Sequence, residues 1–371
     1  MIKIDIISGF LGAGKTTLIN RLINEVYAGE QIVLIENEFG EIGIDSGFLK
    51  DSGVQISEMN SGCICCSLVG DFSMALKQVA TDYSPARIII EPSGVGKLSD
   101  VTKAVISAEL EDAALNSSIT VVDVNKCKMY MKNFGEFFND QIANASCILF
   151  SHTDKTTDTK LQEALALVRE HNDKATIITT PATELKADAL FGAIMGSSSL
   201  ENQIQEMLSE EECPVCGHVH HHHHHDDEEC HCHEHEHHHH HHDEECHCHE
   251  HEHEHHHHHH DDEECHCHEH EHGHHHHHHA DEVFTSWGRE TVKKFTDDEI
   301  RNILEGFDNQ EKFGFVLRAK GIVQGTDGKW IHFDYVPGEA DVRFGSTEHI
   351  GKICVIGSNI NEEAIALVFG I

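Results

Sequence analysis

Basic residues and long apolar runs are scarce in this chain of 371 residues. Lys and Arg number 26 against 65 Asp and Glu, a formal charge of -39 with His neutral. Such a charge repels nucleic acid and anionic membrane surfaces, so neither is expected as a partner. No apolar run approaches the roughly 18 residues of a membrane span. The opening MIKIDIISGF is too short for a signal peptide, because a glycine-rich loop follows at once. We therefore expect a cytoplasmic protein.

Fourteen cysteines are present, and in a reducing compartment they serve as metal ligands or free thiols more often than as disulfides. Cys63, Cys65 and Cys66 crowd into SGCICCS, where a disulfide between near neighbours would be strained. A redox pair normally has the spacing CxxC at a helix start, which CICC lacks. Two or three thiolates hold Zn²⁺ well when a carboxylate or water completes the tetrahedron. The pattern favours a metal site.

Three regions of the chain differ in composition. Residues 1–208 alternate short apolar runs (IKIDII, QIVLI, RIIIE, SITVVDV, CILFS and TIITT) with helical patterns. Such alternation predicts an α/β domain with a mostly parallel sheet that helices cover on both faces. Residues 283–371 carry the capping box TDDE, four further strand-like runs and the helical run NEEAIALVF. They predict a small α+β domain.

Residues 209–282 form a tract that consists mainly of His, Cys, Asp and Glu, and all but four of the 40 histidines lie in it. It holds too few apolar side chains to offset the entropy of ordering a chain, so without metal we expect disorder. An acidic, solvated linker is the plainer interpretation. Imidazole suits Zn, Ni, Co and Cu, and thiolates add soft donors, so we expect the tract to bind metal. Its cysteines are Cys213, Cys216, Cys230, Cys232, Cys246, Cys248, Cys265 and Cys267.

The segment GFLGAGKT, from Gly9 to Thr16, fits GxxxxGK[ST] between a predicted strand and a predicted helix. Glycines let backbone amides curl around phosphate oxygens, and the helix N-terminus adds its dipole. Lys15 is expected at the β- and γ-phosphates, and Thr16 at Mg²⁺. The nucleotide-binding residues of this loop are Gly9, Gly12, Ala13, Gly14, Lys15, Thr16 and Thr17.

Two further strand ends complete the predicted nucleotide site. Glu91 ends RIIIE, where an acid handles the Mg²⁺ shell, and the amide of Gly94 can reach the γ-phosphate. Asp154 follows CILFS, where its carboxylate can accept from N1 and N2 of guanine, a bidentate contact that adenine cannot match. Ser151 and His152 stand where the usual NKxD motif has Asn and Lys, and His152 is expected against the base. These motifs predict GTP binding.

The segments GFLGAGKTT, ENEFGEIGID, GCICC, EPSG and SHTD, in this order, resemble the CobW-like family of P-loop GTPase metallochaperones. The segments VLRAKGIV and KICVIGSN are similar to the C-terminal domain of that family. The resemblance implies GTP hydrolysis coupled to delivery of a divalent metal. Zn²⁺ is expected first, with Co²⁺ and Ni²⁺ as alternatives, and the recipient is a client metalloprotein or a cobalamin-pathway enzyme.

The resemblance also implies roles for single residues. Glu36, Cys65 and Cys66 match the metal-binding positions, with Cys63 as a further ligand. Glu41 matches an acid near the nucleotide and the metal. Together with Lys15 and Glu91 of the motifs above, Glu41 makes up the expected catalytic set.

Other interpretations stay open at this point. The tract also suits a metal store in which the GTPase is secondary, and a P-loop kinase would need neither Asp154 nor the thiols. A nucleotide-dependent homodimer is a further possibility. No arginine stands out as an activator of hydrolysis, and Arg318 and Arg343 qualify only if the two folded domains close on each other.

Overall fold

The computed structural model describes residues 1–36, 69–110, 112–181, 184–195 and 280–371, and the backbone of a strand at 55–58. By its contacts the chain divides into a unit of Met1–Leu208 with His278–Ile371 and a unit of Ser209–His277. All described residues belong to the first unit. The predicted metal tract, apart from its last three residues, lies outside the described residues. So do Glu41, Cys63, Cys65, Cys66, Cys213, Cys216, Cys230, Cys232, Cys246, Cys248, Cys265 and Cys267.

A parallel sheet of seven strands organises the N-terminal domain, in the order β3-β2-β4-β1-β5-β6-β7. The strands are β1 (Ile2–Gly9), β2 (Ile32–Glu36), β3 (Gln55–Glu58), β4 (Arg87–Glu91), β5 (Ala113–Asp123), β6 (Cys147–Ser151) and β7 (Thr176–Ile178). All six apolar runs of the sequence form strands. β3 was not among the predicted strands, because QISE is short and three of its four residues are polar.

Helices cover both faces of this sheet, as expected for an α/β fold. They are α1 (Lys15–Arg21), α2 (Val69–Tyr83), α3 (Leu98–Ser107), α4 (Cys127–Ala143), α5 (Asp158–His171) and α6 (Ala187–Met195). One buried cluster joins the sheet to α2, α3, α4 and α5, and a second joins it to α1 and α6. Among the described residues, no helix combines the length and apolar character needed to cross a membrane.

The C-terminal domain is a mainly antiparallel sheet with helices on one face. Its elements are α7 (Ala280–Val283), β8 (Thr285–Thr291), β9 (Lys294–Phe295), α8 (Asp297–Gly306), α9 (Gln310–Phe313), β10 (Phe315–Gly325), β11 (Trp330–Val336), β12 (Glu339–Gly345), β13 (Gly351–Ser358) and α10 (Glu362–Phe369). The strand order is β12-β11-β10-β13-β8, and β9 pairs with β10. The predicted capping box is present, because the Thr296 side chain accepts from the backbone N–H of Glu299 and the Glu299 carboxylate accepts in return.

An aromatic cluster joins the two domains at the glycine-rich loop. Phe10 of that loop is fully buried, with ring centroids 4.5 Å from Tyr130 and 5.6 Å from Phe134, both on α4. Its ring also packs 6.2 Å from Phe284, which follows α7. Phe134 in turn meets the ring of Phe315 on β10 at 5.2 Å. The loop and the C-terminal sheet therefore share one apolar core.

Replacing Phe284 with alanine tests this shared core. Loss of a fully buried phenylalanine costs about 3–5 kcal/mol, so the free energy of unfolding should fall by that amount. Phe344→Ala is the matched control, since Phe344 is 53% exposed and its loss should cost about 0.5 kcal/mol or less. Urea unfolding is followed by tryptophan fluorescence, because Trp287 and Trp330 both lie in the C-terminal domain. Equal losses in the two variants would contradict the assignment.

Candidate functional site

The backbone of the glycine-rich loop has a shape that only glycine adopts without strain. Gly9 ends β1 with a φ of +143°, and a Cβ there would lie 2.5 Å from the carbonyl oxygen of Val121. Gly14, with a φ of +99°, immediately precedes the first residue of α1. Side chains are strongly disfavoured at such angles. The predicted phosphate loop thus runs directly from a central strand into a helix N-terminus.

Lys15 and Glu91, two residues of the predicted nucleotide site, lie close together at this loop. The Lys15 side chain is buried, and its Nζ donates to the carbonyl of Gly9 at 2.9 Å. The same Nζ lies 3.9 Å from Oε1 of Glu91 at the end of β4. Thr16 and Glu91 line one cleft, and a hydroxyl with a carboxylate is the oxygen donor set that Mg²⁺ accepts. The residues present fit Mg²⁺.

Gly94 is placed against the phosphate loop. A Cβ built on Gly94 would lie 2.8 Å from Cδ2 of Leu11. The segment after β4 therefore packs against the phosphate loop too closely to leave room for a side chain at Gly94. The carbonyl of Gly94 accepts from Nε2 of Gln141 at 3.3 Å, which ties this segment to α4.

Glu36, the predicted metal ligand, is a neighbour of Glu91. β2 and β4 pair in parallel, with Glu36 directly beside Glu91, and β3 places Glu58 on the other side of Glu36. Adjacent strands lie about 4.8 Å apart, so three glutamates follow one another along one edge of the sheet. Among the described residues no group of three or more His, Cys, Asp or Glu side chains could hold a metal ion. The predicted thiolate ligands lie outside those residues.

The predicted base-reading segment follows β6 and lies beside the phosphate loop. Ser151 Cβ is 4.0 Å from where a Cβ on Gly14 would stand. His152 has a left-handed backbone, with a φ of 57°. Its Nδ1 lies 3.3 Å from Oδ2 of Asp123 and 3.3 Å from Oγ of Ser151. Asp154 is exposed in the turn that follows. Ser151 and His152 are thus fixed in place beside the loop.

Asp123 is a functional residue that sequence reasoning missed. It ends β5, is almost fully buried, and accepts from the backbone N–H of Asn125 at 2.9 Å, with Lys126 Nζ at 3.3 Å. Burial alone would raise its pKa, but the His152 hydrogen bond and the Lys126 charge outweigh burial and lower the pKa. The hydrogen bond to Asp123 raises the pKa of His152, although burial opposes the rise. An acid at the last position of the run VVD was the available signal.

A cleft of about 760 Å³ opens over the phosphate loop, and both domains line it. Gly12, Gly14, Lys15, Thr16, Thr17 and Glu91 come from the N-terminal domain. The C-terminal sheet contributes Arg318, Lys320, Asp334, Val336 and Arg343, among others. Arg318 and Arg343 were candidates only if the two folded domains close on each other. In this structure both arginines line the same cleft as the phosphate loop. The sequence alone gave no sign of the contribution of Lys320.

A phosphate loop at the carboxyl edge of a parallel sheet, with an acid beside its lysine, defines a P-loop nucleotide-binding domain. Residues 3–179 match the model of the CobW/HypB/UreG family, nucleotide-binding domain. Residues 3–179 are thus similar to the nucleotide-binding domain of that family, in agreement with the motifs that they contain.

Three curated relatives are similar to this chain. The zinc chaperone YeiR of Escherichia coli (strain K12) is 32% identical over 158 residues, 42% of this chain and 48% of the relative. The zinc chaperone YjiA of the same strain is 31% identical over 198 residues, which are 51% of this chain and 61% of the relative. The zinc chaperone CobW of Sinorhizobium sp. is 30% identical over 228 residues, with 53% and 64% covered. The chain thus spans from about half to under two thirds of these relatives.

The Asp123–His152 pair predicts a pH-dependent contribution to stability. His152 has a folded pKa above its unfolded value of about 6.5. Its stabilisation is therefore complete below about pH 6.5 and is lost as the pH rises through the folded pKa. The difference in unfolding free energy between wild type and His152→Gln should shrink as the pH is raised from 6 to 9.

The same substitution in an Asp123→Asn background is the control, and there the pH trend should disappear. A difference that stays constant or grows with pH would contradict the pairing.

Proposed function

We propose that this protein is a GTP-dependent metallochaperone that binds Zn²⁺ and couples GTP hydrolysis to delivery of the metal. The observation that carries the proposal is the row Lys15, Glu91 and Glu36, in which the lysine of the phosphate loop contacts Glu91 and Glu91 pairs beside Glu36. A nucleotide at Lys15 and a metal at Glu36 therefore act on neighbouring side chains. Names of zinc chaperones among the relatives support zinc as the cargo.

The proposed reaction is hydrolysis of GTP to GDP and phosphate. Lys15 contacts the β- and γ-phosphates, the backbone N–H groups of the loop cradle their oxygens, and Gly94 offers its amide to the γ-phosphate. Thr16 and Glu91 would hold Mg²⁺, which would supply positive charge to offset that of the phosphates. Glu41, which lies outside the described residues, acts near the nucleotide and the metal. Asp154 selects guanine, and His152 packs against the base.

The proposed cargo site combines Glu36 with Cys65, Cys66 and Cys63. One carboxylate and three thiolates, or one carboxylate, two thiolates and a water, make a tetrahedral set that suits Zn²⁺. Co²⁺ and Ni²⁺ accept the same donors, so supply in the cell decides among them. The His- and Cys-rich tract loads or buffers this site. The recipient is a client metalloprotein or a cobalamin-pathway enzyme in the cytoplasm, and a nucleotide-dependent homodimer fits the same scheme.

The composition of the tract favours a second candidate, a metal store in which GTP hydrolysis is secondary. Dense imidazole and thiolate donors bind metal whether or not nucleotide is present. A store would lose its role when the tract is removed, whereas a chaperone would lose capacity and keep nucleotide-linked binding. The deletion is best made at 209–277, because Ala280 and Phe284 are buried in the folded unit.

Zinc titration of the variant lacking residues 209–277 tests the proposal. Zn²⁺ affinity is measured without nucleotide, with GDP and with a non-hydrolysable GTP analogue. We expect affinity to be at least about fivefold higher with the GTP analogue, since a coupling free energy of 1–3 kcal/mol is typical. Cys65→Ala/Cys66→Ala should abolish the difference. Equal affinity in all three states would favour the metal store.

A further inference from the structure

The C-terminal sheet lies directly against the phosphate loop. Val336, the last residue of β11, packs so closely on Gly12 that a Cβ there would overlap Cγ1 of Val336. Lys15 and Thr16 line the same cleft as side chains of β10, β11 and β12. Any nucleotide phosphate held by the loop therefore lies beside the C-terminal sheet.

The strand register selects one basic residue of that sheet as the neighbour of the loop. β10 and β11 are antiparallel and pair Ala319 with Tyr335 and Lys320 with Asp334. Continuing this register, Arg318 lies opposite Val336, the residue that touches Gly12. Opposed residues of an antiparallel pair face the same side, so Arg318 and Val336 both face the cleft.

The other two basic residues of the sheet that line the cleft lie farther from the loop. Lys320 is two residues along β10, or about 7 Å from Arg318 at 3.4 Å per residue. Arg343 pairs with His332, which is four residues from Val336 along β11, a separation of about 14 Å on the same measure. Of these three cleft-lining residues, Arg318 therefore has the strand position nearest to Gly12.

The Arg318 side chain is oriented by a carboxylate within the cleft over the phosphate loop. Its side chain is only 19% exposed, and Nη2 lies 3.3 Å from Oδ2 of Asp334. Lys320 Nζ lies 3.9 Å from the same oxygen, so one carboxylate orients two cations. A guanidinium offers a planar fork of N–H donors that matches phosphate oxygens and stays charged at any working pH.

We propose that Arg318 contacts the γ-phosphate of bound GTP and stabilises the charge that develops during hydrolysis, an inference that rests on the proposed GTPase activity. The oxygen of water forms the new bond to the γ-phosphorus, and the bond to the β–γ bridging oxygen breaks with its electron pair. The water proton goes to the released phosphate. Arg318 transfers no proton. The C-terminal domain is then part of the hydrolytic site.

Arg318→Gln is the variant that tests the proposal in the full chain. We expect kcat to fall about 10²- to 10³-fold, as for removal of one donor to a developing charge. The affinity for GDP should change by less than about threefold, whereas the affinity for GDP with aluminium fluoride should fall with kcat, because only the second ligand mimics the transferred group. Arg318→Lys keeps the charge beside Asp334 and should recover part of the activity.

Arg289→Gln is the matched control, because Arg289 is an exposed arginine of β8 in the same domain. A kcat and an aluminium fluoride affinity of Arg318→Gln equal to those of this control would overturn the role of Arg318. Equal losses of GDP and aluminium fluoride affinity would also overturn it. If Arg318→Gln unfolds, as judged by tryptophan fluorescence, Arg318→Lys decides by the same comparison. A wild-type protein that hydrolyses no GTP would instead contradict the proposed function.

Discussion

The packing of Phe10 is the constraint on which the rest of the site depends. The phosphate loop must hold its backbone N–H groups in one arrangement before a nucleotide arrives. Burial of Phe10 among Tyr130, Phe134 and Phe284 fixes the loop from below, and Val336 on Gly12 fixes it from the C-terminal sheet. Interiors are close-packed, so the loop cannot shift without moving these neighbours. Contacts from the C-terminal domain therefore help to fix the conformation of the phosphate loop.

The second constraint is electrostatic and acts along one edge of the parallel sheet. Glu36 and Glu91 end neighbouring strands, and carboxylates this close repel one another unless cations lie between them. Lys15 lies beside Glu91, and in our proposal Mg²⁺ at Glu91 and Zn²⁺ at Glu36 would offset the remaining charge. A change of charge at Glu36 therefore alters the electrostatic potential at Glu91, and the reverse also holds. The reciprocal coupling of metal and nucleotide binding that we propose would need no long-range pathway in this geometry.

Motifs with a fixed local mechanism could be predicted from the sequence. The apolar runs located six of the seven parallel strands, and Gly9 to Thr16 and the Thr296 capping box were recognised because each depends on residues close in the chain. Asp123 and Lys320 were missed because their roles arise from contacts across strands and domains. β3 was missed because it has only four residues, three of them polar, and so shows no clear period. Arg318 could be named but not placed, since its position depends on domain packing.

The most direct test of coupled binding is calorimetric titration of the full chain with a non-hydrolysable GTP analogue, with and without Zn²⁺ at saturation. Glu36→Gln serves as the comparison, because it removes the strand-end carboxylate and leaves Lys15 and Thr16 in place. The account predicts that Zn²⁺ tightens analogue binding in the wild type and has little effect in Glu36→Gln. Analogue affinity that ignores Zn²⁺ in the wild type, or that responds equally in both proteins, would contradict it.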